Sequence, residues 1–377
     1  MARRKETQKQ QERAAAAGIK AKPHVTKQQT DDERERVVAD AARLLARAEL
    51  RGSIPPLITP FKNDEVDYDA YAALVNFQID EGSHGILVNG TTAEPSTLTT
   101  EERNRLVTLA IEVTAGRVPV VAATGSQSLA ESHVLTEHAV AAGADSLLIV
   151  TPYYIKPPQR GLVAYYLELA KGHDLPWMIY HIPGRTAVGV TLDTLKACKD
   201  KSPTFVGIKH AVNDLGFVSE CLHEFGADFR VFVGLEELSF PMMAVGACGL
   251  MNAVGNLRPG VLAQMCEAVE AGDLDTGRAL HDQLLEINKA VFFDTNPIPM
   301  KYMMKKLGLL ATNEHRLPMV PATADLAAKL DGVLERAKLG AAHAAVSRPT
   351  ARDGGSAANA GAVSRPTVAP RRKTAAR

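Results

Sequence analysis

T-F-V-G-I-K-H, residues Thr204 to His210, joins a buried-strand pattern to a single lysine at its end. Phe205, Val206 and Ile208 form a short apolar, β-rich run after Pro203, which reads as a core strand. Lys209 closes that run against an apolar wall. Burial disfavours an ammonium and favours the free amine that attacks carbonyl carbons. A lysine snorkelling from a strand end to water is the plainer alternative, so the neighbouring strands decide between the two.

Seven further short apolar runs flank this one, each separated from the next by a helical pattern: Ile54–Ile58, Gly85–Val88, Val118–Ala123, Ser146–Val150, Pro176–Tyr180, Phe229–Val233 and Gly249–Met251. The helices between them are expected at Asp69–Glu81, from Thr99, and at Leu129–Ala142, Gln159–Lys171, Leu192–Lys199, Asp214–Phe225 and Glu236–Val245. Thr99-Thr100-Glu101-Glu102 reads as an N-cap with acids in the first turn, and Gly143 closes the third helix. Strand–helix alternation requires parallel strands joined by right-handed crossovers, and eight repeats match a (β/α)8 TIM barrel. The competitor is a doubly wound open sheet, but no G-x-G-x-x-G or G-x-x-x-x-G-K-[ST] follows any strand. Helical patterns continue at Gly260–Ala271, Leu274–Phe292, Pro299–Leu307 and Ala322–Ala337, a C-terminal helical appendix. The expected organisation is therefore a basic, partly helical extension over 1–50, a barrel over 51–258, a helical region over 259–337 and a disordered tail over 338–377.

Composition is that of a soluble globular chain, 46% hydrophobic and 23% charged. The zero net charge conceals a segregation: residues 1–50 balance at +4, residues 338–377 at +7, and the middle at −11. Asp31–Leu50 carries Val37, Val38, Leu44 and Leu45 at helical spacing. The tail repeats V-S-R-P-T at Val346 and Val363 and reads as disordered. Such basic ends are more often solvated than nucleic-acid-binding, and no nucleic-acid partner is expected. No apolar run nears the ~20 residues of a membrane span, and no leader is visible, so a cytoplasmic protein is expected. Cys198, Cys221, Cys248 and Cys266 are widely spaced, and neither disulfides nor a metal site is expected.

Chemistry in such a barrel sits at the C-terminal strand ends. Those ends carry G-T-T-A-E at Gly90, T-P-Y-Y at Thr151, Y-H-I-P-G-R-T at Tyr180, G-I-K at Gly207, Gly234 after the seventh strand and Met251 at the eighth. With N-P-I-P-M-K at Asn296, these motifs resemble the dihydrodipicolinate synthase/N-acetylneuraminate lyase family of class I Schiff-base aldolases, from about Gly52 to Leu317. The resemblance implies a lysine imine between Lys209 and pyruvate, with no metal or organic cofactor. It implies Tyr180 as the proton-transfer tyrosine, Thr91 as its relay, and Tyr154 completing the relay from a neighbouring subunit of a homodimer or homotetramer. Thr92 matches the grip on the pyruvate carboxylate, and Arg185 the receiver of an aldehyde carboxylate, a task that suits a bidentate guanidinium. Gly234 and Met251 are the remaining candidates for substrate contact.

Several positions depart from the family pattern. Ala93 replaces a glycine, His210 stands where the synthases tend to have Glu, and Gly234-Leu235-Glu236-Glu237 replaces G-D-D or G-D-E. Thr100 and Arg103 stand where lysine-inhibited members have histidines, beside Gln127, Glu131 and Tyr153, so weak or absent lysine inhibition is expected. The implied reaction is condensation of pyruvate with aspartate semialdehyde, as in the dihydrodipicolinate synthases. The alternative is cleavage of 2,4-dihydroxyhept-2-ene-1,7-dioate to pyruvate and succinate semialdehyde, toward which Thr59–Asp69 and Val291–Pro297 lean. A non-catalytic barrel serving as scaffold or sensor is the reading of a different class.

Overall fold

The computed structural model describes residues 50–339. The helix expected from Asp31 and the tail after Leu339 lie outside the described residues. The strands are β1 Gly52–Ser53, β2 Phe61–Lys62, β3 Glu65–Val66, β4 Ile86–Val88, β5 Val120–Ala123, β6 Ser146–Val150, β7 Trp177–His181, β8 Phe205–His210, β9 Arg230–Val233 and β10 Gly249–Leu250. Eight of them form one parallel sheet in the order β1-β10-β9-β8-β7-β6-β5-β4. The sheet closes on itself. Leu57 N–H donates to the Leu87 carbonyl at 3.0 Å, and Leu87 N–H to the Pro55 carbonyl at 3.1 Å. The chain after β1 thus completes the ring against β4, giving the barrel that the alternating pattern predicts.

Strand parity separates two apolar layers. Leu87, Val121, Leu148, Met178, Tyr180, Phe232 and Met251 fill the barrel interior. Trp177, Ile179, Phe205 and Ile208 face the surrounding helices. Because Ile208 faces out, Lys209 faces in. Gly207 is fixed by crowding: a Cβ there would lie 2.0 Å from the Arg230 carbonyl oxygen, so only glycine lets β8 approach β9.

Local signals explain most helix ends. Thr99 caps Thr100–Thr114 by accepting from the Glu102 amide, while the Glu102 carboxylate accepts from the Thr99 amide. Gly143 ends Leu129–Ala142 at φ 93°. Two expectations need correction. The first strand, expected at Ile54–Ile58, is Gly52–Ser53, and beyond it Pro56 forms an isolated bridge to Leu87. Glu236–Val245 is a 3₁₀ turn, Glu236–Leu238, followed by a short helix, Ser239–Ala244. Pro183–Thr186 forms one helical turn started by its proline.

The C-terminal helices Pro259–Glu270, Leu274–Ala290, Ile298–Lys306 and Ala324–Arg336 follow the barrel. The first packs on β1, and the second packs on the first. Beyond Lys306 the chain returns over the catalytic-end rim. Arg316 pairs with Glu102, and Glu314 accepts from the Asn63 and Asp64 amides. Those two residues, at φ 56° and 65°, form the two-residue turn of the hairpin β2–β3. Among the described residues no helix is long and apolar enough to cross a membrane.

Candidate active site

β7 and β8 run in register, with Tyr180 opposite Lys209. Parity sends both side chains into the barrel, where they are 5% and 3% exposed. The Lys209 Nζ lies 4.3 Å from the centroid of the Tyr180 ring, a cation–π distance. Gly234, at the end of β9, makes room for it: a Cβ there would lie 3.0 Å from Lys209 Cε. Met251 belongs to the apolar packing of the same interior.

The turn after β4 supplies hydroxyls. Asn89 adopts φ 58°, and the chain winds into the 3₁₀ turn Thr91–Ala93. Thr91 Oγ1 donates to the Tyr180 phenol oxygen at 3.3 Å. Thr92 is buried, and its Oγ1 accepts from Asn296 Nδ2 at 3.0 Å, so the N-P-I-P-M-K motif braces the turn from the C-terminal region. A lysine, a phenol and a hydroxyl are thus aligned on neighbouring strand ends. Such a set can attack a carbonyl carbon and move the protons that addition and dehydration require.

A cavity of about 560 Å³ has Thr91, Tyr180, Ile182 and Arg185 on its wall, and Lys209 lies behind the Tyr180 ring rather than on that wall. Arg185 is exposed on the turn Pro183–Thr186, its guanidinium free to meet an anion. Tyr153 also lines this cavity, whereas Tyr154 does not. Tyr154 is 86% exposed at φ 71°, beside Ile155 at 61%. Within one chain the structure therefore brings together Lys209, Tyr180, Thr91, Thr92 and Gly234, with Arg185 at the mouth, and leaves Tyr154 outside.

The far end of the cavity carries Arg103, Gln127 and Glu131. Arg103 is buried, its Nη1 3.3 Å from Glu131 Oε1, and Glu131 Oε2 accepts from Ser126 Oγ at 2.5 Å. Burial pulls the Arg103 pKa below its ordinary value, and the Glu131 carboxylate opposes that shift. Thr100 does not line the cavity.

One group escaped the sequence analysis. Glu236 is 1% exposed, and burial raises its pKa to about 7 against the Ala253 amide and the charge of Lys209. The available signal was its place two residues past a strand-end glycine. Among the described residues no three His, Cys, Asp or Glu side chains are grouped as metal ligands.

A family model described as the dihydrodipicolinate synthetase family matches residues 49–337. The 4-hydroxy-tetrahydrodipicolinate synthase of Thermus thermophilus is 44% identical over 287 residues, 76% of this chain and 96% of that protein. The crystal structure of dihydrodipicolinate synthase from Aquifex aeolicus superposes with a TM-score of 0.75 at 39% identity, covering 77% of this chain and 99% of that one. A structure described as a monomeric dihydrodipicolinate synthase variant has a TM-score of 0.75 at 33% identity, covering 78% of this chain and 98% of that one.

Proposed function

The chain belongs to the dihydrodipicolinate synthetase family of lysine-imine lyases, and from that premise we propose that it condenses pyruvate with aspartate semialdehyde. The observation that carries this reading is Lys209 Nζ set against the Tyr180 ring, with the Tyr180 hydroxyl bonded to Thr91, and Thr91, Tyr180 and Arg185 on the wall of one cavity.

Lys209 attacks C2 of pyruvate, and the carbonyl oxygen leaves as water. The protonated imine draws electrons from the methyl group, whose proton departs to give an enamine. The enamine carbon then attacks the aldehyde carbon. Tyr180, relayed through Thr91, carries protons between these steps, and Thr92 with its turn amides holds the pyruvate carboxylate. The lysine is the electron sink, so this chemistry calls for no cofactor. Arg185 receives the second carboxylate. Arg185→Lys keeps the charge but loses the fork. It should lower kcat/KM for the aldehyde about a hundredfold and leave imine trapping with pyruvate intact.

Exposure of Tyr154 and Ile155 supports an assembly of at least two copies, in which Tyr154 enters the partner's cavity. The titratable relay is complete only there. The stretches that leaned toward the catabolic aldolase serve the fold: Asn63 and Asp64 bind Glu314, and Asn296 braces Thr92. Steady-state assays with each aldehyde test the assignment. Aspartate semialdehyde should exceed succinate semialdehyde in kcat/KM by more than about tenfold. The reverse ratio would remove the synthase assignment and leave the imine chemistry standing.

Arg103 also bears on regulation. It already occupies the Glu131 carboxylate that an incoming ammonium would need, and a like charge repels the newcomer. Titration with L-lysine should show no inhibition in the submillimolar range. Inhibition there would contradict this account of the site.

A further inference from the structure

The loop after β9 carries a buried carboxyl that the steps above do not use. Glu236 Oε1 accepts from the Ala253 amide at 2.7 Å, tying the end of β9 to the loop after β10. Its own carbonyl accepts from Ser239 Oγ at 2.7 Å and from Asn288 Nδ2 at 3.3 Å, fixing the turn from beneath. Oε2 has no hydrogen-bond partner among the described residues. A carboxylate buried with one oxygen unpartnered is penalised by desolvation, so a purely structural clamp would be better served by an amide.

Charges around the group point one way. β8 and β9 run in register, Lys209 beside Phe232 and His210 beside Val233, so Glu236 follows the strand that pairs with the end bearing Lys209, whose charge acts on the Glu236 carboxyl. Gly234, two residues before Glu236, is in contact range of the Lys209 stem. On the packed helix Leu274–Ala290, Asn288 is neutral, and His281 interacts instead with Asp282 and Glu237. Ser239 and Asn252, which donates to Ser239 Oγ at 2.5 Å, are neutral as well.

Resting on the imine reading of Lys209, we propose that Glu236 is a positioning residue, the buried counter-charge for the positive nitrogen of the imine. Counted from the ammonium, Nζ and pyruvate C2 form the new bond, and the C–O bond breaks. Two nitrogen protons leave with the oxygen as water, and the positive charge stays on nitrogen. Once substrate fills the cavity, that charge is shielded from water, and its attraction to a carboxylate strengthens. Imine formation and Glu236 ionisation therefore favour each other.

Borohydride trapping at fixed, subsaturating pyruvate, followed between about pH 5 and 9, reads this linkage. Adduct yield in the wild type should rise as pH passes about 7, where Glu236 ionises, and then level off. Glu236→Gln keeps the Ala253 hydrogen bond and cannot ionise. Its yield above that pH should be about tenfold lower, with the inflection gone, and Glu236→Asp should restore an inflection. Melting against pH reports on folding. Burial favours the neutral acid, so its contribution to stability is complete below the ordinary glutamate value and is lost as pH rises through about 7. Glu236→Gln should lack that loss. A glutamine variant trapping with the wild-type yield and profile overturns the proposal, as does a flat wild-type profile. No adduct in the wild type at any pH overturns the imine itself.

Discussion

Replacing Lys209 by alanine should lower turnover at least about a thousandfold while the barrel stays folded. The side chain is buried in the barrel interior, yet its amine contributes little to holding that interior together. The apolar layer of Leu148, Met178, Phe232 and Met251 does that. Alanine removes a buried cation together with its stem, and those two effects on stability oppose each other. Nothing else among the neighbouring strand ends can form an imine: Tyr180 and Thr91 carry oxygens, and Arg185 holds a guanidinium that does not give up its proton. Arginine at position 209 would keep a charge beside the Tyr180 ring and still lack a nucleophile, so both variants should be inactive. Turnover with aspartate semialdehyde, alongside circular dichroism, checks the expectation. A folded alanine variant retaining a tenth of the activity would remove the lysine from the mechanism.

Breaking the buried pair of Lys301 and Glu94 should cost more stability than any other single change proposed for this chain. Lys301 Nζ lies 2.5 Å from Glu94 Oε1, with each side chain 1% exposed. Glu94 Oε2 lies 3.0 Å from His315 Nδ1. The ammonium also donates to the Glu314 carbonyl at 2.9 Å and sits 4.2 Å from the centre of the Phe61 ring. Burial pulls the Lys301 pKa below its ordinary value, and Glu94 opposes that pull. Four segments meet there: the loop beginning β2, the turn after β4, the helix Ile298–Lys306 and the returning strand of chain at Glu314–Arg316. Lys301→Met fills much of the volume but leaves the Glu94 carboxylate without its ammonium. A loss of about 3–5 kcal/mol is expected, seen as a fall in Tm of roughly 10 °C. Adding Glu94→Gln to that variant should recover part of the loss, because the uncompensated charge is gone. Equal melting of the single variant and the wild type would show that the pair contributes no net stability.

Period and parity made most of the barrel legible. Phe205, Val206 and Ile208 read as a strand because apolar β-branched and aromatic residues cluster there, and Lys209 faces the interior because side chains alternate. The N-cap at Thr99, which the structure shows as a capping box with Glu102, and the stop at Gly143 are local chemistry and appear where the pattern places them. Features that depend on distant chain were not legible. β2–β3 is held by Glu314, some 250 residues later in the chain. Arg185 sits on a helical turn rather than a loop because Pro183 starts one and the Ile182 carbonyl closes it. Glu236 registered only as a departure from the family's G-D-D or G-D-E, since no sequence period marks a side chain held by the loop after β10. Tyr154 shows the opposite case: the family resemblance placed it in a relay, and in one chain it is exposed and stands off the cavity wall.

The central claim is that Lys209 becomes the imine nitrogen, and borohydride reduction in the presence of pyruvate tests it most directly. Intact-protein and peptide mass spectrometry should find a single reduced pyruvate adduct, confined to the peptide bearing Lys209. A folded protein with no adduct, or with the adduct on another lysine, would contradict the account and move a non-catalytic barrel to the front.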